Sequence, residues 1–184
     1  MPTLEKLNPK LIKFIESQKM FFVASAAPDG LVNVSPKVMD TLNVLSDNRI
    51  VWLNLTGSGN ETAAHVRQQP RMTLTFCSFD QWPLIVRAYG TAKVVHPRDE
   101  EWTTELDQCP NHAGSRQIFD LKIDLVQTSC GTGVPMMKFE KPRVDEDLIP
   151  YYEKMGQEGV EKYWLRKNSL SLDGTPTGIV EDKN

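Results

Sequence analysis

With 184 residues, the chain fits one domain on a scale of roughly 100–200 residues per domain, long enough to bury a sizeable core without metal or disulfide staples. Hydrophobic residues make up 40% and charged residues 24%, which excludes a wholly disordered or collagen-like chain. Lys and Arg number 21 against 24 Asp and Glu, a formal charge of −3, which argues against a general nucleic-acid surface and leaves room for a local basic site.

The elements follow in chain order. Residues 3–18 read as a helix, with Asn8-Pro9 at its start and Leu7, Leu11, Phe14 and Ile15 as its apolar stripe. Residues 20–26 and 31–35 flank the turn signal Pro28-Asp29-Gly30 and predict a hairpin. Residues 41–45 and 50–55 predict a second pair, with Trp52 in a core strand. A short helix is expected from Glu61 to Gln69, stopped by Pro70. Strands are expected over 71–79 and 84–95, the latter with a bulge or bend at Gly90. Pro97 opens a helix carrying Trp102 and Leu106. A loop to Arg116 precedes the clearest alternation in the chain, Phe119, Leu121, Ile123 and Leu125 against Asp120, Lys122 and Asp124. Helix is expected again over 151–168.

Six or seven hairpin-linked strands with short helices between them predict a mainly β fold, a small closed barrel rather than a doubly wound sheet. Lys6, Lys10, Lys13 and Lys19 interrupt the first apolar stripe, and no run approaches 18 apolar residues, so a cytoplasmic protein with no membrane span is expected. Cys77, Cys109 and Cys130, with His65, His96 and His112, are scattered and match neither a disulfide framework nor a zinc pattern. No metal site is expected.

The segment with chemical content is Thr56-Gly57-Ser58-Gly59-Asn60-Glu61-Thr62, which joins a buried strand to a helix start. Such a start offers unpaired N–H groups to an anion, glycines admit close approach, and Ser58, Asn60 and Thr62 carry further donors. A helix cap formed by Asn60 or Ser58 explains the same residues. No Gly-Lys-Ser or Gly-Lys-Thr follows, so this is not a P-loop. Lys37, at the end of a strand, is either a solvated surface charge or a cation for the same anion. Arg87 lies in an apolar strand and needs an acceptor, a ligand or a carboxylate such as Asp40 or Asp80. No residue is identified as catalytic, so any hard chemistry falls to a cofactor.

The ordered pieces Asn33-Val34-Ser35-Pro36-Lys37, Leu53 through His65, Arg71-Met72-Thr73-Leu74, Arg87-Ala88-Tyr89-Gly90, Ser129 through Pro135 and Lys167 through Gly174 resemble the pyridoxamine 5′-phosphate oxidase-like superfamily of FMN-binding split β-barrels. The likeness is to its oxidase-related branch rather than to the biosynthetic enzyme. The resemblance implies one FMN-binding split-barrel domain over 1–184, with 135–184 an extension packed on the barrel or on a partner subunit. It also implies a homodimer with cofactor sites at the subunit interface and a small-molecule redox substrate. By the same resemblance the cofactor residues are Ser35, Lys37, Leu55, Thr56, Asn60, Thr62, Arg71 and Arg87, with the phosphate near Lys37 and the helix start; Ser58 joins them from the reading of the loop itself. Val38 stands where the branch usually has Gly, and Asn54 where it often has Asp. An FMN-dependent oxidoreductase is the leading expectation. The alternatives are a flavin-, haem- or F420-binding protein without turnover, haem being marked by a Soret band and an axial histidine, and a structural protein that takes up no FMN.

Overall fold

The structure, a computed structural model, describes residues 2–180. One antiparallel sheet curls into a half-barrel. Its strands are β1 (Thr3–Leu4), β2 (Met20–Ser25), β3 (Asn33–Val38), β4 (Leu42–Ser46), β5 (Arg49–Leu55), β6 (Arg71–Cys77), β7 (Leu84–Val95) and β8 (Ser115–Cys130). The hydrogen-bonded order is β3-β2-β6-β7-β8-β5-β4, with β1 added to β8. The barrel is therefore split rather than closed: β3 and β4 are both edges, joined by the single helical turn Met39–Thr41.

The strand reading is otherwise corrected at two places. Thr3 and Leu4 pair with Gln127 and Val126 instead of opening a helix, giving eight strands among the described residues. Helix α1 (Pro9–Ser17) starts only where Asn8 Oδ1 accepts the Lys10 and Leu11 N–H groups, both at 3.0 Å. The expected loop to Arg116 ends two residues early, at Gly114, and β8 begins at Ser115. Its wet–dry alternation starts late because Arg116, Gln117, Ile118 and Phe119 are all buried, beside β5 and, from Ile118 onward, also beside β7. The helix expected from Pro97 shortens to α3 (Trp102–Leu106).

The barrel interior is filled by Phe21, Val23, Trp52, Leu74, Phe76, Val86, Phe119 and Leu121, and α1 lays Leu11 and Ile15 against it. On β5, Ile50 and Trp52 face this core, whereas Val51 and Leu53 belong to a second cluster that Trp102 and Leu106 of α3 cover. Burial on both faces explains why β5 reads as an apolar run rather than an alternation.

Gly90 sits at a register shift in the β7–β8 pairing, and a Cβ there would run into the carbonyl oxygen of Lys122. Because the obstacle is backbone, Gly90→Ala is expected to destabilise the fold by about 1–3 kcal/mol, measured by urea denaturation. A loss below about 0.5 kcal/mol, the range of a neutral surface change, would mean that the bulge yields freely.

After β8 come residues 131–143, a π turn over Val144–Leu148 and α4 (Ile149–Lys167), which breaks at Gly156 (φ 68°). Helix α2 (Glu61–Gln68) leads from β5 to β6. No helix of the described residues is long and apolar enough to cross a membrane.

Candidate functional site

Alternation along β3 turns Asn33, Ser35 and Lys37 inward, opposite Ser25, Val23 and Phe21, and leaves Val34 and Pro36 outside. Lys37 reaches across the split of the barrel. Its Nζ donates to Asn54 Oδ1 at 3.3 Å and lies 5.5 Å from the centre of the Trp52 ring. Among the described residues no carboxylate forms an ion pair with it. Burial pushes the ammonium down to about 8; Arg116 pushes in the same direction and Glu61 opposes. Lys37 is thus a half-buried cation in want of a counter-anion, not a solvated surface charge.

On the same inner face of β3, Asn33 Nδ2 donates to Thr62 Oγ1 at 3.0 Å and ties the strand to the first turn of α2. Ser35 lies between Asn33 and Lys37 along this row. Leu55, half-buried, ends β5 one residue beyond Asn54. Ser58 is exposed on the loop that follows.

The cap expected at α2 does not form: Asn60 occupies the cap position without a side-chain bond to the helix. The reason is long-range. Asn60 Nδ2 donates to the carbonyls of Lys167 and Leu170, and its Oδ1 accepts from Arg116 and Asn168. Its backbone N–H donates to Glu61 Oε2 at 3.0 Å, while Glu61 Oε1 accepts from the Leu172 N–H. Thr56 is committed in the same way. Its hydroxyl donates to the Gly114 carbonyl and accepts from Trp164 Nε1, and its carbonyl accepts from the Tyr152 hydroxyl. Gly114 allows this approach with φ 80° and no side chain; a Cβ would meet the Tyr152 ring at 2.6 Å. The side chains of Thr56 and Asn60 therefore face the protein, whereas Lys37 bonds Asn54 and Asn33 bonds Thr62 from the face of β3 that also carries Ser35.

Arg71 and Arg87 stand apart. Arg71 is exposed beyond the far end of α2 from the loop. Arg87 pairs with Thr75 and Gln127 on the outer face of the sheet, opposite to the face that carries Lys37. The acceptor for Arg87 is Ser129 Oγ at 3.0 Å, neither Asp40 nor Asp80. His65 is buried and hydrogen-bonded through Nδ1 to Ser25 Oγ at 3.1 Å. His96 is buried and pushed down to about 4 by desolvation and by Arg98. His112 Nε2 lies 3.8 Å from Asp40. No group of three or more metal-ligating side chains occurs among the described residues. A surface concavity of about 440 Å³ lies elsewhere, between Phe79, Trp82, Met136 and Met137.

Sequence reasoning passes over Arg116 and Asn168. Asn168 sits inside a quoted motif, but its partners are more than 100 positions away. Arg116 precedes the alternation that signals β8, and no local pattern distinguishes it.

Residues 7–130 match the family profile of pyridoxamine 5′-phosphate oxidase. A pyridoxamine 5′-phosphate oxidase family protein of Aspergillus flavus is 33% identical over 191 residues, covering 94% of this chain and 76% of the relative. In three dimensions the chain is similar to a candidate pyridoxamine 5′-phosphate oxidase of Lactobacillus delbrueckii, with a TM-score of 0.55 and 21% identity over 69% of this chain and 99% of the other. HupZ from Group A Streptococcus gives a TM-score of 0.50 at 13% identity, covering 72% of this chain and 99% of that one. These two likenesses reflect the fold. Fold, ordered motifs and profile agree, and the chain belongs to the pyridoxamine 5′-phosphate oxidase family.

Proposed function

We propose that the chain is an FMN-dependent oxidoreductase acting on a small molecule, working as a homodimer with its cofactor sites between the two copies. The observation that carries this reading is Lys37, a half-buried ammonium with an amide oxygen and an indole face for neighbours and no carboxylate partner among the described residues. It shares a face with Ser35 and Asn33, beside a helix start that no side chain caps. This donor set suits a phosphate: a cation supplies charge, and hydroxyl and amide groups supply direction. Lys37, Ser35, Ser58 and Thr62 would hold the phosphate, with Leu55 alongside. FMN, when bound, supplies hydride and electron transfer; the protein's part is to bind, orient and keep water from the reacting face.

The dimer is proposed on two grounds. Arg87 and Lys37 lie on opposite faces of one sheet, so both serve a cofactor only where a cleft takes a different face from each copy. Edge strand β3 and its turn also expose Leu31, Val32 and Val34 at 54%, 73% and 63%, apolar surface that a partner would cover.

The test is to purify the protein, record its absorption and identify the chromophore released on denaturation. Flavin bands near ~370 and ~450 nm, with stoichiometric FMN released, are expected for a flavin held as the redox cofactor. A colourless protein that also refuses added FMN would overturn the reading, and a Soret band would replace it with haem. Within the reading, Lys37→Met is expected to weaken FMN binding by about 10–100-fold, the scale of a hydrogen bond to a charged group. Riboflavin, which lacks the phosphate, should bind the variant as it binds the parent. Equal losses for both ligands would place the phosphate elsewhere.

A further inference from the structure

The loop between β5 and α2 is shaped from behind. Asn168, 1% exposed at the end of α4, donates through Nδ2 to the Gly57 carbonyl and to Asn60 Oδ1, both at 2.7 Å. Arg116, 2% exposed, donates to the Gly57 carbonyl at 3.1 Å, the Gly59 carbonyl at 2.7 Å and Asn60 Oδ1 at 3.3 Å. No carboxylate forms an ion pair with Arg116 among the described residues, and desolvation pushes the guanidinium down to about 10. An apolar side chain would fill this position at lower desolvation cost. What the planar fork adds is simultaneous control of three loop oxygens.

The consequence follows from the peptide unit, whose carbonyl and following N–H point to opposite sides. With the Gly57 carbonyl drawn toward Arg116 and Asn168, the Ser58 N–H turns the other way. The Thr56 carbonyl, drawn to the Tyr152 hydroxyl, turns the Gly57 N–H likewise. Gly57 is half-buried and Ser58 exposed, and neither N–H has an acceptor among the described residues. Two amides are thus aimed outward by bonds made on the buried side.

We infer that Arg116 and Asn168 are positioning residues that hold the 56–60 loop in the shape that receives the phosphate, making the end of the C-terminal helix part of the cofactor site. The inference rests on the FMN reading above and adds to it the direction in which the loop amides are held. Neither residue touches the ligand. Both act through the carbonyls of Gly57 and Gly59.

The experiment compares FMN with riboflavin, titrated by flavin fluorescence into the full chain and into Asn168→Ala and Arg116→Lys. The parent should prefer FMN. Asn168→Ala should lower the ratio of FMN to riboflavin affinity about tenfold, the scale of one hydrogen bond's contribution, with riboflavin affinity held. Arg116→Lys, which keeps the charge and loses the fork, should lower the same ratio. A residue that merely supports the fold would lower the melting temperature and leave the ratio unchanged, and that result would overturn the inference. For variants that fail to fold, hydrogen exchange on the parent decides. FMN, and not riboflavin, should slow exchange in 164–172 together with 56–62; protection confined to 56–62 would overturn the inference. A parent that binds both flavins equally would remove the FMN-phosphate reading and this inference together. A parent that prefers FMN beside an Asn168→Ala that keeps the preference would remove the inference alone.

Discussion

Lys37→Met is expected to stabilise the ligand-free protein far more at pH 7 than at pH 10.5, by a difference of about 3 kcal/mol. In the folded state the ammonium is pushed down to about 8 from an ordinary value of 10.5. Between those two values the unfolded chain holds more protons than the folded one, so the parent's stability rises with pH across this window and levels above it. Below pH 8 both states are protonated and the whole penalty of the buried charge is felt. Methionine removes the titration. It also leaves Asn54 Oδ1 without its Lys37 donor, which offsets the gain at every pH by about 1–3 kcal/mol. Subtraction is needed because other groups titrate nearby. Cys109, raised to about 11 by burial and by Glu105, and Tyr152, raised to about 12 by burial, both lower stability in alkali as the unfolded chain ionises first. They are present in parent and variant alike and cancel in the difference. Urea denaturation of the two proteins at pH 7, 8, 9 and 10.5 makes the measurement. A flat difference would mean that the ammonium is well solvated, and the case for a waiting counter-anion would go with it. A buried cation that destabilises the ligand-free protein is what the proposed anion site requires, since the ligand, not the fold, would supply the missing charge.

How far the site could be read from the sequence depends on the range of the interactions that build it. The row Asn33, Ser35, Lys37 follows from strand alternation alone, and Gly90 announces its bulge because only a missing Cβ fits beside the Lys122 carbonyl. Such signals are local. Asn60 shows where local reasoning stops. Its position before an apolar helix is that of a cap, yet the carbonyls of Lys167 and Leu170, with Arg116 and Asn168, take its side chain. Tertiary partners beat the local cap because Asn60 is buried there and all of its polar atoms must be paired. Arg116 is hidden for a related reason: β8 is buried without a break from Arg116 to Phe119, so no wet face marks where it begins. The relation of Arg87 to Lys37 was beyond the sequence as well. Each taken alone fits a phosphate or flavin contact, and only the sheet shows that they face opposite ways.

Trp52 joins the core to the site, and its two simplest replacements should separate those roles. The ring is fully buried, stacked on Phe119 at 4.5 Å between centroids and edge-on to Phe21 at 5.9 Å. Trp52→Ala is expected to cost roughly 3–5 kcal/mol, because neighbours drawn from several strands cannot collapse into the space. Trp52→Phe should cost far less. Phenylalanine keeps an aromatic face toward Lys37 and Phe119, and it removes the indole Nε1–H, which is buried with no hydrogen-bond partner among the described residues. The lost volume and the relieved orphan donor oppose one another, so a net change within about 1.5 kcal/mol is expected. Thermal or urea denaturation of both variants gives the comparison. If Trp52→Phe is as damaging as Trp52→Ala, the indole rather than the aromatic face is what the barrel needs, and Nε1 has a partner such as a buried water. If Trp52→Phe is tolerated and leaves the proposed FMN binding unchanged, the ring acts as an apolar wall beneath the ammonium. Specificity at that end of the site then rests with Lys37 and the residues that share its face.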